Sequence, residues 1–227
     1  MQTLPEDFGV LRARGLLFDM DGTLLDSTAP MTRVWGRWAD RHGLEHTRVL
    51  SAIHGRRAVE SIGSFNLVGV DAQREARWIE DEEVEDVAGI NPIAGAVEFL
   101  KRIPRHQWAV VTSAPVRLAM ARLGAAGIAL PDVMVTGDDV ERGKPFPDCF
   151  LLGAQRLGLP AHACVAFEDA PAGIAAADAA GAGVVVITAT HHSPHETLHR
   201  KILNYEKLLL AHDGQHQLSL RLKSSVD

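Results

Sequence analysis

The chain has 227 residues, of which 46% are hydrophobic and 23% are charged, and its formal net charge is −6. A chain of this length can bury a full core in one large domain or in one domain with an insertion. Its acidic balance argues against a nucleic-acid or anionic-membrane surface, because both attract basic patches. No run approaches the roughly 20 apolar residues of a transmembrane helix.

The N-terminal residues and the cysteines indicate a cytoplasmic protein. The first residues carry acids and lack an apolar centre, which argues against a signal peptide. Cys149 and Cys164 form no CxxC pair and resemble small buried hydrophobes, as expected in a reducing compartment. Residues 1–14, which precede the first predicted strand, are interpreted as an added arm.

The first predicted strand is the apolar run at residues 16–18, which ends in two acidic residues. Asp19 and Asp21 share one side if the chain stays extended, and Gly22 then permits a sharp turn. Two carboxylates this close repel each other unless a cation lies beside them, and Mg²⁺ prefers oxygen ligands. A strand followed by an ordinary Asp-Gly turn is the alternative, and the spacing alone does not decide between the two.

Residues 28–90 are predicted to be all-helical. An amphipathic face with helical spacing is formed by Met31, Val34, Trp35 and Trp38. Gly43 is the expected end of this helix. The acidic residues between 80 and 86 are interpreted as a solvated helix face rather than a metal site.

After residue 91, short apolar runs alternate with helical patterns. The runs are residues 109–111, 133–135, 164–167 and 184–187. Buried strands that alternate with helices are typical of a parallel sheet covered on both faces, and the strand at 16–18 joins them. We therefore predict an α/β core formed by residues 1–27 and 91–227, with residues 28–90 inserted as a helical unit. In the tail, apolar residues alternate with polar ones at 218–222, which predicts an edge strand or a hairpin arm.

Polar residues follow four of the predicted strands. They are Asp19 and Asp21, Thr112 and Ser113, Lys144, and Glu168 and Asp169. Each has a structural alternative: a helix cap for the hydroxyls, a loop charge for the lysine and an N-cap for the second acidic pair. Ligands bind at the carboxyl ends of parallel strands, so we expect these groups to meet at one edge. Chance alone does not explain complementary groups at four strand ends.

Such a set of groups suits phosphoryl transfer from a phosphate monoester. Mg²⁺ and Lys144 would neutralise the phosphate, and Thr112 and Ser113, with nearby backbone N–H groups, would hold its oxygens. Asp19 and Asp169 would hold the metal. One carboxylate would attack phosphorus and form an aspartyl-phosphate, while a second serves as acid for the leaving alkoxide and then as base for water.

Four motifs resemble those of the haloacid dehalogenase superfamily, in the same order along the chain. They are FDMDGTLLDS at 18–27, VVTSA at 110–114, GKPFPDCF at 143–150 and FEDAPAGIAAADAAG at 167–181. The resemblance implies a Rossmann-like core with a helical cap inserted after the first strand. It also implies that Asp19 is the nucleophile and Asp21 the general acid/base. The dehalogenases of this superfamily lack the second aspartate, so Asp21 indicates phosphate chemistry.

The same resemblance implies the ligands of the metal and of the phosphate. Mg²⁺ would be held by Asp19, the backbone carbonyl of Asp21, and Asp169, with Glu168 assisting through water. Phosphate would be held by Thr112, Ser113, Lys144 and the backbone N–H at Ala114. Glycine is common in the family at the position of Ala114, a departure of little consequence where the backbone binds.

The helical segment resembles a subgroup that contains small bacterial sugar phosphatases, glycerol-phosphate phosphatases and 2-deoxyglucose-6-phosphate phosphatases. The resemblance lies in residues 35–39, 42–44 and 53–57. In this subgroup the active site is faced by a cap turn that corresponds here to His54, Gly55, Arg56 and Arg57. Its polar side chains are donors for sugar hydroxyls or phosphate, and Gly55 lets the backbone come close. A basic surface turn is the alternative.

The leading prediction is a Mg²⁺-dependent phosphatase of small phosphorylated sugars or sugar alcohols, present as a monomer or weak homo-oligomer. A β-phosphoglucomutase-like mutase is the alternative, although mutase-type relatives carry a histidine at the position of Met31. A sensor that binds a phosphosugar without turnover is disfavoured, because all the catalytic positions are filled. His191, His192 and His195 are interpreted as loop residues, because their spacing does not suit zinc.

Overall fold

The computed structural model describes residues 8–191, 197–213 and 217–223, which form three β-sheets. The strands are β1 (Leu11–Ala13), β2 (Gly15–Phe18), β3 (Leu25–Asp26), β4 (Asn91–Pro92), β5 (Trp108–Val111), β6 (Met134–Val135), β7 (Cys164–Glu168), β8 (Gly183–Ile187), β9 (Arg200–Ile202), β10 (Leu208–His212) and β11 (Leu218–Leu222). β1, β3, β4, β9 and β10 fall outside the segments that the sequence predicts as strands.

The helices lie between these strands. They are α1 (Thr28–His42), α2 (His46–Ile53), α3 (Ala58–Ser64), α4 (Ala72–Glu85), α5 (Ala96–Lys101), α6 (Val116–Ala125), α7 (Asp148–Arg156) and α8 (Pro171–Ala180). Within the described ranges, no helix is long and apolar enough to cross a membrane. Both cysteines are buried, as predicted.

The largest sheet has six parallel strands in the order β6-β5-β2-β7-β8-β9. Strand β2 lies near its centre, between β5 and β7. The side chains of β2 alternate between two cores: Leu16 and Phe18 pack on one face of the sheet and Leu17 on the other. Because both faces are covered, the strand is apolar throughout, and the predicted α/β fold with a parallel sheet is confirmed.

The segment between β3 and β4 contains α1 to α4 and, in a stretch that the structure describes completely, no strand. It has its own core, formed by Val34, Trp35, Trp38, Ala39, Val49, Ile53, Ile62, Phe65 and Ile79. Gly43 ends α1 with φ 63°, as predicted. β3 and β4 pair antiparallel, so the segment leaves and rejoins the sheet at one place. Two-residue strands have no periodic pattern, and this pairing was not predicted.

The third sheet corrects the prediction for the tail. β11 pairs antiparallel with β10, which agrees with a hairpin arm, but β1 pairs with its other side and makes it the central strand. Leu218 and Leu220 are therefore fully buried. Part of the N-terminal arm supplies the third strand, whereas residues 1–7 lie outside the described residues.

Candidate active site

Three carboxylates meet at the carboxyl ends of β2 and β7. Asp19, Glu168 and Asp169 are all buried, and each offers an oxygen that lies within 4.8 Å of the others. The ammonium of Lys144 is buried beside them and lies 2.6 Å from Asp19 Oδ1 and 2.6 Å from Glu168 Oε1. It also donates to the Val111 carbonyl, 3.2 Å away at the end of β5. Three strand ends and the loop before α7 thus meet at one point.

Glu168 is held on both of its oxygens. Oε1 accepts from Lys144, and Oε2 accepts from the backbone N–H groups of Asp169 and Ala170, at 2.9 and 3.0 Å. These two N–H groups lie just ahead of α8, where the helix leaves backbone donors without partners of its own. The carboxylate is therefore fixed in orientation before any ligand arrives.

Two glycines make room for the acidic cluster. A Cβ at Gly173, in the first turn of α8, would overlap the Glu168 carboxylate. A Cβ at Gly22 would overlap the Asp169 carboxylate, and Gly22 also has φ +79°, which side chains rarely adopt. The glycines in the first and last motifs therefore serve the packing of the carboxylates themselves.

The cluster carries more negative charge than Lys144 balances. Burial raises the pKa of Asp19 to about 7 against the opposing effect of Lys144, and burial together with Glu168 raises the pKa of Asp169. Asp169 Oδ1 is also buried without a hydrogen-bond partner among the described residues. A divalent cation with oxygen ligands would offset the repulsion and give this oxygen a partner. The residues present therefore fit Mg²⁺.

Asp21 lies outside this cluster and turns towards the helical segment. Its Oδ1 accepts a hydrogen bond from Ser27 Oγ at 2.6 Å and lies 2.9 Å from Arg122 Nη1. Arg122, on α6, is buried, and its Nη2 lies 3.0 Å from Glu83 Oε1 on α4. The Arg122 guanidinium therefore forms ion pairs with Asp21 at the sheet edge and with Glu83 in the helical segment.

Glu83 corrects the prediction that the acidic run at 80–86 is a solvated face. It lies one turn after Ile79, and both face inward. Burial raises the pKa of Glu83, although Arg122 opposes the shift. Neither Glu83 nor Arg122 belongs to a motif, so sequence reasoning missed both. The helical spacing of Glu83 from Ile79 was the available signal, and it required knowing which face of α4 is buried.

The hydroxyl groups predicted to bind phosphate follow β5. Thr112 Oγ1 accepts from the backbone N–H of Ala114 at 3.1 Å, which fixes this turn. Ser113 Oγ donates to the Gly55 carbonyl at 3.1 Å, so it bridges to the helical segment. All three residues after β5 line the same cavity as Asp19 and Asp21.

That cavity has a volume of about 560 Å³ and lies between the sheet edge and the helical segment. On the helical side it is lined by Met31, Thr32, Trp35, His54, Gly55 and Arg56. Gly55 has φ +71°, and a Cβ there would lie 2.7 Å from the Ala170 side chain, so the turn packs directly on the loop before α8. The volume suits a small organic molecule.

Arg57, predicted to bind substrate, is not among the residues that line this cavity. Its guanidinium pairs with Glu60 and donates to the backbone carbonyls of Val140 and Glu141, at 3.1 and 2.9 Å. These carbonyls belong to the loop that leads to Lys144. Arg57 therefore joins the helical segment to that loop, and its donors are used within the protein.

His191 lies outside helices and strands, as predicted, but it also lines the cavity. Its Nε2 lies 2.9 Å from the backbone carbonyl of Asp169. Sequence reasoning gave it no role, because nothing in the spacing of the histidines relates them to the sheet edge. His192 and His195 lie outside the described residues.

A parallel sheet with a buried acidic cluster at its carboxyl edge defines a Rossmann-like α/β enzyme. The particular family follows from comparison with known proteins. A family model described as haloacid dehalogenase-like hydrolase matches residues 13–181. The chain therefore belongs to the haloacid dehalogenase-like hydrolases, which confirms the resemblance found in its motifs.

Two curated relatives are phosphatases. Hexitol phosphatase A of Escherichia coli is 42% identical over 81% of this chain and 87% of its own. Glycerol-1-phosphate phosphohydrolase 2 of Saccharomyces cerevisiae is 31% identical over 79% of this chain and 76% of its own. These relatives confirm the prediction of a phosphatase.

Solved structures share the fold. A hydrolase from Pseudomonas syringae superimposes with a TM-score of 0.72 at 26% identity, over 80% of this chain and 87% of its own. A putative β-phosphoglucomutase from Thermotoga maritima gives a TM-score of 0.61 at 26% identity, over 85% of this chain and 95% of its own. The fold is thus common to hydrolases and to a mutase-like protein, so it does not by itself decide the reaction.

Proposed function

We propose that the protein is a Mg²⁺-dependent phosphatase that hydrolyses phosphate monoesters of small sugars or sugar alcohols. The observation that carries the proposal is the buried Asp19, paired with Lys144 and placed on the wall of a cavity of about 560 Å³. The similarity to hexitol and glycerol-1-phosphate phosphatases supports the choice of substrate class.

Asp19 is the attacking group in this proposal. Its carboxylate forms a bond to phosphorus while the bond from phosphorus to the leaving oxygen breaks, which gives an aspartyl-phosphate. Asp21 gives its proton to the leaving oxygen and then takes one from the water that attacks phosphorus. That second attack releases phosphate and restores Asp19. Lys144 stabilises the negative charge on the phosphoryl group throughout.

Binding of phosphate and metal falls to the remaining groups at the sheet edge. Phosphate oxygens accept hydrogen bonds from Thr112, Ser113 and the backbone N–H of Ala114. Ser113 Oγ and the Ala114 N–H would exchange their present acceptors, the Gly55 carbonyl and Thr112 Oγ1, for the phosphate. Asp19, Asp169 and the backbone carbonyl of Asp21, with Glu168 acting through water, would hold Mg²⁺, which would supply positive charge to offset the negative charge of the phosphate.

Residues 28–90 act as a cap over this edge, and residues 1–27 with 91–227 form the catalytic core. Support comes from the separate core of the helical segment and from its single crossing point at β3 and β4. His54 and Arg56 are the donors that face the substrate from the cap, because both line the cavity. Arg57 instead holds the cap to the loop before Lys144.

Phosphate release from a panel of monoesters tests the function. The panel contains hexitol, ribitol, glycerol, fructose, glucose and 2-deoxyglucose phosphates, each with Mg²⁺. Release from sugar or polyol phosphates supports the proposal, and release from none of them overturns it. A phosphosugar mutase is the second candidate because of the structural likeness described above. Conversion of β-glucose 1-phosphate to glucose 6-phosphate without net phosphate release would establish it.

Removal of divalent cations is expected to lower phosphate release by about 10³-fold, because a bound cation supplies several kcal/mol of charge stabilisation. Dialysis against EDTA followed by the assay measures the loss, and Mg²⁺ should restore the rate. Mg²⁺ should also raise the Tm of the wild-type protein, since it binds only the folded cluster. In an Asp169→Asn variant this rise should shrink. Full activity in EDTA would contradict the proposal.

A further inference from the structure

Only one oxygen of the Asp21 carboxylate, Oδ1, has partners among the described residues. Oδ1 receives the hydrogen bond from Ser27 and the ion pair with Arg122, whereas no hydrogen bond to Oδ2 is found among the described residues. The side chain is 28% exposed and lines the cavity. Oδ1 is thus the anchored oxygen, and Oδ2 is the oxygen available to a substrate.

Arg122 is built into the protein as a fixed group. Its side chain is 6% exposed, and it lies between Asp21 and the equally buried Glu83. A guanidinium is always charged, so ion pairs with two carboxylates on different elements limit where its side chain can lie. Glu83 therefore holds Arg122 in place, and Arg122 holds Asp21.

We propose that Arg122 is a positioning residue that fixes Asp21 through Oδ1, so that Oδ2 carries the proton of the reaction. The inference rests on the proposed phosphatase function. In the first step the Oδ2 proton moves to the leaving oxygen as its bond to phosphorus breaks and the bond from Asp19 forms. In the second step Oδ2 accepts a proton from the attacking water, and phosphate leaves Asp19.

If Arg122 has this role, its replacement should lower kcat/KM more for substrates whose leaving group needs a proton than for substrates whose leaving group does not. A polyol phosphate releases an alkoxide, which must be protonated as it leaves. p-Nitrophenyl phosphate releases a stable phenolate, which departs without a proton. The value of kcat/KM reports formation of the aspartyl-phosphate and excludes its later hydrolysis, so the ratio of kcat/KM for the two substrates isolates the proton transfer. If Arg122 had only a structural role, its replacement would lower kcat/KM for both substrates by the same factor.

The experiment compares hexitol phosphate with p-nitrophenyl phosphate in matched variants. Arg122→Met removes the group, and Arg122→Lys keeps its charge. The double variant Arg122→Met with Glu83→Gln removes the buried Glu83 carboxylate that the single variant would leave unpaired, which guards against failure to fold. Arg117→Met is the control. Arg117 also joins α6 to α4, 2.5 Å from Asp81, but it is exposed and does not contact Asp21.

The ratio of kcat/KM for hexitol phosphate over p-nitrophenyl phosphate should fall by about 10- to 100-fold in both Arg122→Met variants, a part of what general acid catalysis supplies. Arg122→Lys should recover some of this ratio, and Arg117→Met should leave it at the wild-type value. An unchanged ratio in the folded Met variants overturns the inference. Failure of the wild-type enzyme on every polyol and sugar phosphate would instead overturn the proposed function.

Discussion

Replacement of Asp19 by asparagine is expected to lower phosphate release by at least about 10⁴-fold, the order of loss seen when a catalytic nucleophile is removed. Asparagine has nearly the same shape, so the packing at the end of β2 is kept. Its amide cannot form the aspartyl-phosphate, and it leaves Lys144 paired with Glu168 alone. Steady-state assays at saturating Mg²⁺ measure the loss, with circular dichroism to verify the fold.

Asp40→Asn provides the matched control. Asp40 lies on α1 with its side chain 72% exposed, contacts His46 and does not line the cavity. Its activity should stay within about twofold of wild type, as expected for an exposed substitution away from the site. Wild-type activity in Asp19→Asn would show that another group attacks phosphorus.

Replacement of Gly173 by alanine is expected to lower the free energy of unfolding by about 3 kcal/mol, the upper range for overpacking a buried site. The new methyl group would overlap Glu168 Oε1. Glu168 cannot turn away without losing Lys144 and two backbone donors, and the group is completely buried. Urea denaturation measures the stability. Mg²⁺ titration by calorimetry should show a weakened affinity as well.

Gly124→Ala is the control for this variant. Gly124 lies in α6, and a Cβ there meets no atom within 4 Å. Alanine at this position in the last turn of α6 should stabilise the protein by about 0.4–1 kcal/mol, because it restricts the unfolded chain. A lower free energy of unfolding in Gly173→Ala and a higher one in Gly124→Ala would indicate that the loss comes from the overlap with Glu168. Equal stability of Gly173→Ala and wild type would contradict the proposed crowding.

The fold and the acidic cluster were predictable because their signals are local. Five strands of the parallel sheet, β2, β5, β6, β7 and β8, lie in short apolar runs of the sequence, as expected for strands covered on both faces. The polar residue after each run then lies at a known edge. Asp19, Glu168 and Asp169 follow this rule, and Lys144 reaches the same edge from the loop between β6 and α7.

The contacts that were missed depend on how helices face one another. Glu83 and Arg57 sit on charged stretches whose sequence is the same whether they face solvent or another element. Arg122 acquires its partners only when α4 packs on α6. The pairing of β1 with β11 joins opposite ends of the described chain. No local pattern encodes an interaction that requires both partners to be in place.

The central position of β2 has a consequence for the order in which the protein can fold. Its neighbours, β5 and β7, are synthesised only after the whole of α1 to α4. The helical segment has its own core and mostly local contacts, so it can form while Leu16, Leu17 and Phe18 still lack a sheet. A nascent chain therefore leaves one edge of this apolar strand unpaired until Cys164–Glu168 is synthesised, and an unpaired apolar strand edge favours aggregation.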